Sequence, residues 1–211
     1  MLKKLLTLVF VASLASGCAV GQKIDYSQQY STIPEIARGT TVSLGVQDLR
    51  PYVLSGERKS NFVGVQRGGF YNPFDVTTTS GRPLADDLLQ AFTNTLKGAG
   101  TVVTGTTIAS SATPEMAVAT LSGKGSDRAL YIFFKEWKSD SFSDSWVLYD
   151  ITAQVFDKNG KMLGESHLQG KDAISSSAAL ASSDAKNSIT SAFQLKIKEL
   201  LSSPEIIAAL Q

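Results

Sequence analysis

Apolar and polar positions follow two different periods along this chain. The stretch 41–46 alternates, with three aliphatic side chains on one side, as a half-buried strand requires. Between Pro83 and Gly98 a leucine or phenylalanine recurs every fourth residue, which is typical of an amphipathic helix. The chain is therefore predicted to combine strands and helices.

Similar patterns extend this prediction over most of the sequence. Two short strands, at about 61–67 and 74–79, are expected to join around Gly68 and Gly69, because glycine tolerates positive φ. The pair Asn159-Gly160 predicts a tight hairpin turn. The other predicted elements are a strand at 101–104, a helix at 113–121, three consecutive strands at 128–137, 145–156 and 162–171, a helix from Ser183-Asp184 and a short last helix from Ser203.

The order of these elements predicts the fold class. Amphipathic helices must bury their apolar stripes against a sheet. We therefore expect an α+β fold: a two-layer α/β sandwich with a mostly antiparallel sheet and helices packed on one face. Residues 40–211 are assigned to one such domain, since their number suits a single domain of typical size.

The N-terminus has the layout of a secretion signal. Two lysines precede the apolar run 5–14, which is too short to span a bilayer because spanning needs roughly 20 helical residues. Small residues then lead into a cysteine as Leu14-Ala15-Ser16-Gly17-Cys18, which resembles the bacterial lipobox. That resemblance implies cleavage after residue 17 and lipidation of Cys18.

The lipid anchor defines the expected location. Two or more acyl chains hold a protein stably on a membrane. In Gram-negative lipoproteins, which this N-terminus resembles, a residue other than aspartate after the cysteine implies export to the outer membrane, and Ala19 fits. Residues 18–39 are polar and weakly patterned, so we predict a lipidated N-terminus followed by a flexible tether, with the domain facing the periplasm.

Composition and residue types exclude several classes of function. Without the two lysines of the signal, 18 basic residues face 19 acidic ones, which argues against a nucleic-acid-binding surface. His167 is the sole histidine and Cys18 the sole cysteine, so no Cys–His pair, Ser–His triad or multi-histidine metal site is available. We predict no catalytic residue, no metal site and no cofactor.

The segment from Phe62 to Phe74 is the one candidate binding surface. It holds four aromatic residues beside an arginine and several glycines, in a stretch that is long for a simple connection. Exposed, these side chains would form a partner-binding patch; buried, they would only close the sheet, and the sequence leaves both readings open. The candidate partner-binding residues are Phe62, Arg67, Phe70, Tyr71 and Phe74.

In its order of elements the chain resembles the YajG-type lipoproteins of the Gram-negative outer membrane. The features that carry the resemblance are Leu14-Ala15-Ser16-Gly17-Cys18, the strand at 41–46, the helix opened by Pro83, Val147-Leu148-Tyr149-Asp150-Ile151, Asn159-Gly160-Lys161-Met162 and the helix at 184–201. The resemblance implies an outer-membrane lipoprotein and no particular catalytic residue. The stretch from Phe62 to Phe74 departs from the family pattern.

Three hypotheses for function follow. The first is a non-enzymatic lipoprotein that binds an envelope partner of unknown specificity. The second is an accessory or regulatory subunit of a cell-wall synthase or an envelope transporter. The third is an enzyme that uses carboxylates such as Asp86 and Asp87. We disfavour the third, because acidic side chains at the start of a helix interact favourably with its dipole without any catalytic task.

Overall fold

The computed structural model describes residues 21–68, 70–142, 144–175 and 182–211, so the predicted signal and Cys18 lie outside the described residues. None of the described helices is both long enough and apolar enough to cross a membrane. The elements, in chain order, are β1 (Lys23–Ile24), β2 (Thr41–Asp48), α1 (Pro51–Leu54), β3 (Phe62–Arg67), β4 (Pro73–Thr78), α2 (Leu84–Gly98), β5 (Val102–Ile108), α3 (Pro114–Ser122), β6 (Arg128–Ser141), β7 (Ser145–Phe156), β8 (Met162–Ser175), α4 (Ser182–Leu201) and α5 (Pro204–Leu210).

The described strands form one eight-stranded sheet that forks at β6. On one side β6 pairs with β7, and β7 pairs with β8, both antiparallel. On the other side the first half of β6 pairs with β2, and its last residues pair with β3. One branch continues from β2 to β5, and the other from β3 through β4 to β1. The ladder between β6 and β7 is irregular between Phe134 and Glu136, close to where the branches part.

The prediction of a mostly antiparallel sheet is wrong. Four of the seven pairings among the described strands are parallel, which makes the sheet mixed, and it curls into a half-barrel rather than the flat layer of a two-layer sandwich. Parallel neighbours need a long crossover connection. Here α2 lies in the connection between the parallel neighbours β2 and β5, and α2 and α3 both lie in the connection between β3 and β6.

Helices also lie on both faces of the sheet, contrary to the prediction. In the main core, α2, α4 and α5 pack on the face of the sheet that carries Leu130 and Ile132. The opposite face presents Ala129 and Tyr131, and α3 packs there in a smaller cluster through Leu121. Neighbouring strand residues point to opposite faces, so β6 serves both clusters. Full burial of a large aliphatic or aromatic side chain contributes about 1.5–3 kcal/mol.

The N-terminal segment is packed, which corrects the predicted tether. Ile24, Tyr26, Ile33 and Ile36 are 1%, 0%, 7% and 2% exposed. The Tyr26 ring meets that of Phe193 at 5.0 Å between centroids. Ile24 and Tyr26 are two residues apart and Ile33 and Ile36 three apart, so the segment holds two short pairs and no sustained period, although all four side chains are buried. The folded body therefore includes residues well before position 40.

A buried arginine fills the fork. Arg50 is 0% exposed and forms an ion pair with Asp48, with 2.7 Å between Nη2 and Oδ2. Its guanidinium also donates to the backbone carbonyls of Ser60, Phe62 and Trp137. The Phe62 carbonyl lies on β3, the Ser60 carbonyl just before β3, and the Trp137 carbonyl on β6, where the two branches of the sheet separate. One side chain therefore satisfies polar groups that the division of the sheet leaves without a neighbouring strand.

Most predicted elements are confirmed. The strand at 41–46, the hairpin around Gly68, the helix after Pro83, the helix at 113–121, the three-strand meander and the two C-terminal helices are all present. The strand predicted at 101–104 extends to Ile108 as β5. The four-residue α1 was not predicted; it begins at Pro51, whose fixed φ suits a first helical position.

Candidate interaction surface at one end of the sheet

Two hairpin turns lie side by side at one end of the sheet. β3 and β6 run parallel there, with Val65 opposite Asp140 and Gln66 opposite Ser141. The turn from β3 to β4 and the turn from β6 to β7 therefore leave the sheet at the same place. We call the cluster that they carry, Arg67, Phe70, Tyr71, Asp140 and Phe142, the aromatic tip.

Ring and charge contacts join the two turns. The Tyr71 and Phe142 rings meet edge to face, with 4.7 Å between centroids. The Arg67 guanidinium lies 5.0 Å from the Tyr71 ring centre and binds both oxygens of Asp140, at 3.2 Å from Nε and 3.1 Å from Nη2. The hydrogen bonds and the charge of Asp140 raise the pKa of Arg67. The only charges of the aromatic tip thus neutralise one another.

The aromatic side chains of the tip are exposed to solvent. Phe70 is 92% exposed, Tyr71 58% and Phe142 47%. Single exposed apolar residues are ordinary on protein surfaces, whereas adjacent large ones mark contact surfaces. Three neighbouring rings at the end of two hairpins form such a surface.

The turn between β3 and β4 holds Tyr71 in an unusual backbone conformation. Tyr71 has φ of 65°, a region that residues with a Cβ rarely adopt. Its N–H donates to the Gly68 carbonyl at 2.8 Å, and the Gly68 N–H donates to the Asn72 carbonyl at 2.9 Å. A Cβ on Gly68 would lie 3.0 Å from the Phe74 ring, so a glycine suits this close approach. Such strain costs about 1–3 kcal/mol and is typical of functional loops.

The structure separates the five predicted binding residues into two groups. Arg67 and Tyr71 come together in the aromatic tip, and Phe70 precedes Tyr71 in the same turn with its side chain exposed. Phe74 is half-buried and packs on the turn, and Phe62 is 3% exposed, with its ring 5.6 Å from that of Tyr52. Phe62 thus belongs to the core.

Sequence reasoning missed Phe142. It is a single aromatic residue in a polar stretch rich in serine and aspartate, so no period marks it. Only the parallel pairing of β3 with β6 places it beside Tyr71.

Several other charged groups of the described chain are held in ion pairs. Lys196 Nζ lies 2.8 Å from Asp172 and 3.0 Å from Glu199, beside an open groove of about 450 Å³. His167 pairs with Asp150 at 2.9 Å. Among the described residues no group of three His, Cys, Asp or Glu is placed to hold a metal ion.

The two carboxylates of the enzyme hypothesis lie in different surroundings. Asp87 is 0% exposed and accepts from Ser80 Oγ at 2.8 Å and from Arg82 Nη2 at 2.9 Å. Burial raises its pKa, although the hydrogen bond from Ser80 and the charge of Arg82 oppose that rise. Asp86 instead accepts from the Thr107 hydroxyl of β5 at 2.6 Å. Asp87 thus holds the residues that precede α2, and Asp86 holds α2 against β5.

Comparison with known proteins gives similarity to solved structures only. No protein-family model matches the chain, and no curated protein matches it. Solved structures that resemble it include a DUF330 protein from Xanthomonas campestris (13% identity, 85% of this chain and 95% of that one, TM-score 0.48). A PelC dodecamer from Paraburkholderia phytofirmans (14% identity, 82% and 92%, TM-score 0.43) and a lipoprotein from Neisseria meningitidis (13% identity, 76% and 99%, TM-score 0.31) are also similar.

These neighbours are bacterial proteins and include a lipoprotein. With identities of 15% or less and TM-scores below 0.5, they assign neither a family nor an activity.

Proposed function

We propose that this chain is a lipid-anchored lipoprotein of the bacterial cell envelope that acts without catalysis and binds an envelope partner through the aromatic tip. The observation that carries the proposal is the tip itself, in which Phe70, Tyr71 and Phe142 are exposed side by side.

The anchor is supported by the N-terminal sequence. A charged start, a short apolar run and small residues before Cys18 are the features that a lipoprotein signal requires. The proposal includes placement in the outer membrane, facing the periplasm, because Ala19 follows the cysteine, and it includes kinship with YajG-type lipoproteins. Cys18→Ala is expected to abolish incorporation of labelled palmitate and to release the chain from the membrane fraction.

The tip has the composition of a binding surface. Aromatic residues and arginine are enriched in the cores of interfaces, where large rigid side chains bury much area at a small entropic cost. The side chains of Arg67 and Asp140 are 27% and 38% exposed, and their ion pair holds the two turns together. Binding would therefore meet a surface that is already ordered.

Site-specific photocrosslinking in living cells tests the proposal. A photoreactive phenylalanine replaces Phe70 in the full chain, and the matched control carries it at Met116, which is 59% exposed on α3. This helix packs against the first residues of β6, at the other end of that strand from the tip. We expect a discrete crosslinked product, with a protein or with a phospholipid, from position 70 and none from position 116. The product should disappear when Tyr71 and Phe142 are replaced by serine.

The proposal fails if both positions react alike, or if the two serines leave the product from position 70 unchanged. Circular dichroism and thermal unfolding of each variant show whether the fold is retained. Because all three positions are exposed, the substitutions should alter stability by only about 0.5 kcal/mol.

A further inference from the structure

The start of the described chain lies beside the aromatic tip. The Gln22 carbonyl accepts from the Thr77 N–H at 3.1 Å, and Lys23 pairs with Thr77 as β1 runs parallel to β4. Gly21 is in such close contact with Asp75 that a Cβ would lie 1.9 Å from its carbonyl oxygen. Backwards from Lys23 the chain therefore runs towards Pro73, the first residue of β4, and towards the turn that carries Tyr71.

The predicted lipid lies a short distance further. Three residues, 18–20, precede Gly21, and at a maximum of about 3.5 Å per residue they reach roughly 10 Å. Along β4, two residue steps lead back from Asp75 to Pro73, roughly 7 Å at about 3.3 Å per residue, and Tyr71 lies two residues further in the turn. The lipid anchor is therefore restricted to within about 10 Å of Gly21, which lies near the end of the sheet that carries the aromatic tip.

We infer that the aromatic tip contacts the membrane that holds the lipid anchor, with Phe70, Tyr71 and Phe142 at the interface between lipid and water. This inference rests on the proposed function and names the partner class of the same surface, a phospholipid bilayer.

The chemistry of the tip suits that interface. Aromatic rings with a polar group, such as Tyr71, concentrate at the headgroup level of membranes, and apolar rings such as Phe70 bury area in the outer acyl region. A single unpaired charge would oppose this insertion. Arg67 and Asp140 neutralise each other, whereas the exposed Asp144, two residues from Phe142, has to stay on the water side of the interface.

The short reach favours lipid over a protein on this surface. A protein partner at the tip would need to fit between the hairpin turns and a bilayer whose anchor is only about 10 Å from Gly21. Contact with the bilayer itself requires no such space. The second membrane contact would also fix the orientation of the whole domain, with the tip towards the lipid and the opposite end of β6 away from it.

Fluorescence in vesicles tests the inference. The full chain, with its lipidation checked by mass spectrometry, is reconstituted into vesicles of phosphatidylethanolamine and phosphatidylglycerol that contain no other protein. An environment-sensitive label is attached to Phe70→Cys, and to Met116→Cys as the matched control. We expect the label at position 70 to emit at shorter wavelength and to be quenched several-fold more strongly by spin-labelled lipid than the label at position 116.

Equal quenching at both positions, with emission typical of water, overturns the inference. If position 70 nevertheless gives a protein crosslink in cells, the aromatic tip binds a protein and the proposed function stands without the membrane contact. If the chain carries no lipid, or if neither experiment distinguishes the two positions, the proposed function fails as well.

Discussion

Replacement of Arg50 by methionine should destabilise the fold more than any other single loss of charge among the pairs described above. Arg50→Met removes every donor of the guanidinium. It leaves the Asp48 carboxylate, 6% exposed, without a cation, and it leaves the carbonyls of Ser60, Phe62 and Trp137 without this partner. Removing one partner of a buried ion pair costs about 3–5 kcal/mol.

That loss is large beside the total stability of a domain. Single domains unfold at a cost of about 5–15 kcal/mol, so Arg50→Met would remove roughly a fifth of that stability or more. The measurement is urea-induced unfolding followed by tryptophan fluorescence, since Trp137 is buried at the fork and its environment changes on unfolding.

Two further variants make the reasoning refutable. Arg58→Met breaks the ion pair of Arg58 with Asp75, whose side chains are 34% and 47% exposed, and should cost no more than about 1 kcal/mol. The double variant with Asp48→Leu and Arg50→Met leaves no unpaired buried charge, so it should be more stable than Arg50→Met alone. Equal losses for Arg50→Met and Arg58→Met, or a double variant less stable than the single one, would refute the assigned role.

Three other predictions concern single contacts. Gly164→Ala should lower the melting temperature, because the new Cβ would lie 2.5 Å from the Glu205 carbonyl oxygen and push α5 off β8. Tyr26→Ala should cost about 3–5 kcal/mol in urea unfolding, since the ring is fully buried. Asp157→Asn should destabilise the protein at neutral pH. The backbone N–H of Lys161 lowers the pKa of Asp157, so its contribution is present above the ordinary aspartate value and is lost as pH falls through the folded-state value. The stability gap between wild type and Asp157→Asn should therefore close in acid, as thermal unfolding across pH would show.

Local patterns predicted the elements, and non-local pairing decided how they assemble. The alternation in β2 and the four-residue period in α2 are properties of contiguous residues, so the sequence shows them directly. The fork depends on Gly64 meeting Ser139, far apart in sequence, and no local signal marks that contact. The parallel pairings went unnoticed for the same reason.

The candidate surface was half predictable. Arg67, Phe70 and Tyr71 are close in sequence beside a glycine-containing turn, which drew attention to them. Exposure cannot be read from such a cluster, and Phe62, which lies in the same stretch, is a core residue. The polar composition of the N-terminal segment likewise gave no sign of the four apolar side chains that are buried within its described part, residues 21–39.

The packing of the N-terminal segment has a consequence for the order in which the protein can fold. Ile24 and Tyr26 are among the first residues of the body to be synthesised, yet Tyr26 packs against Trp137 and against Phe193 on α4. Contacts between residues so distant in sequence form late, because loop closure must precede them. This apolar segment therefore stays without its core contacts until nearly all of the protein has been synthesised. The main core can be completed only after α4 has been made.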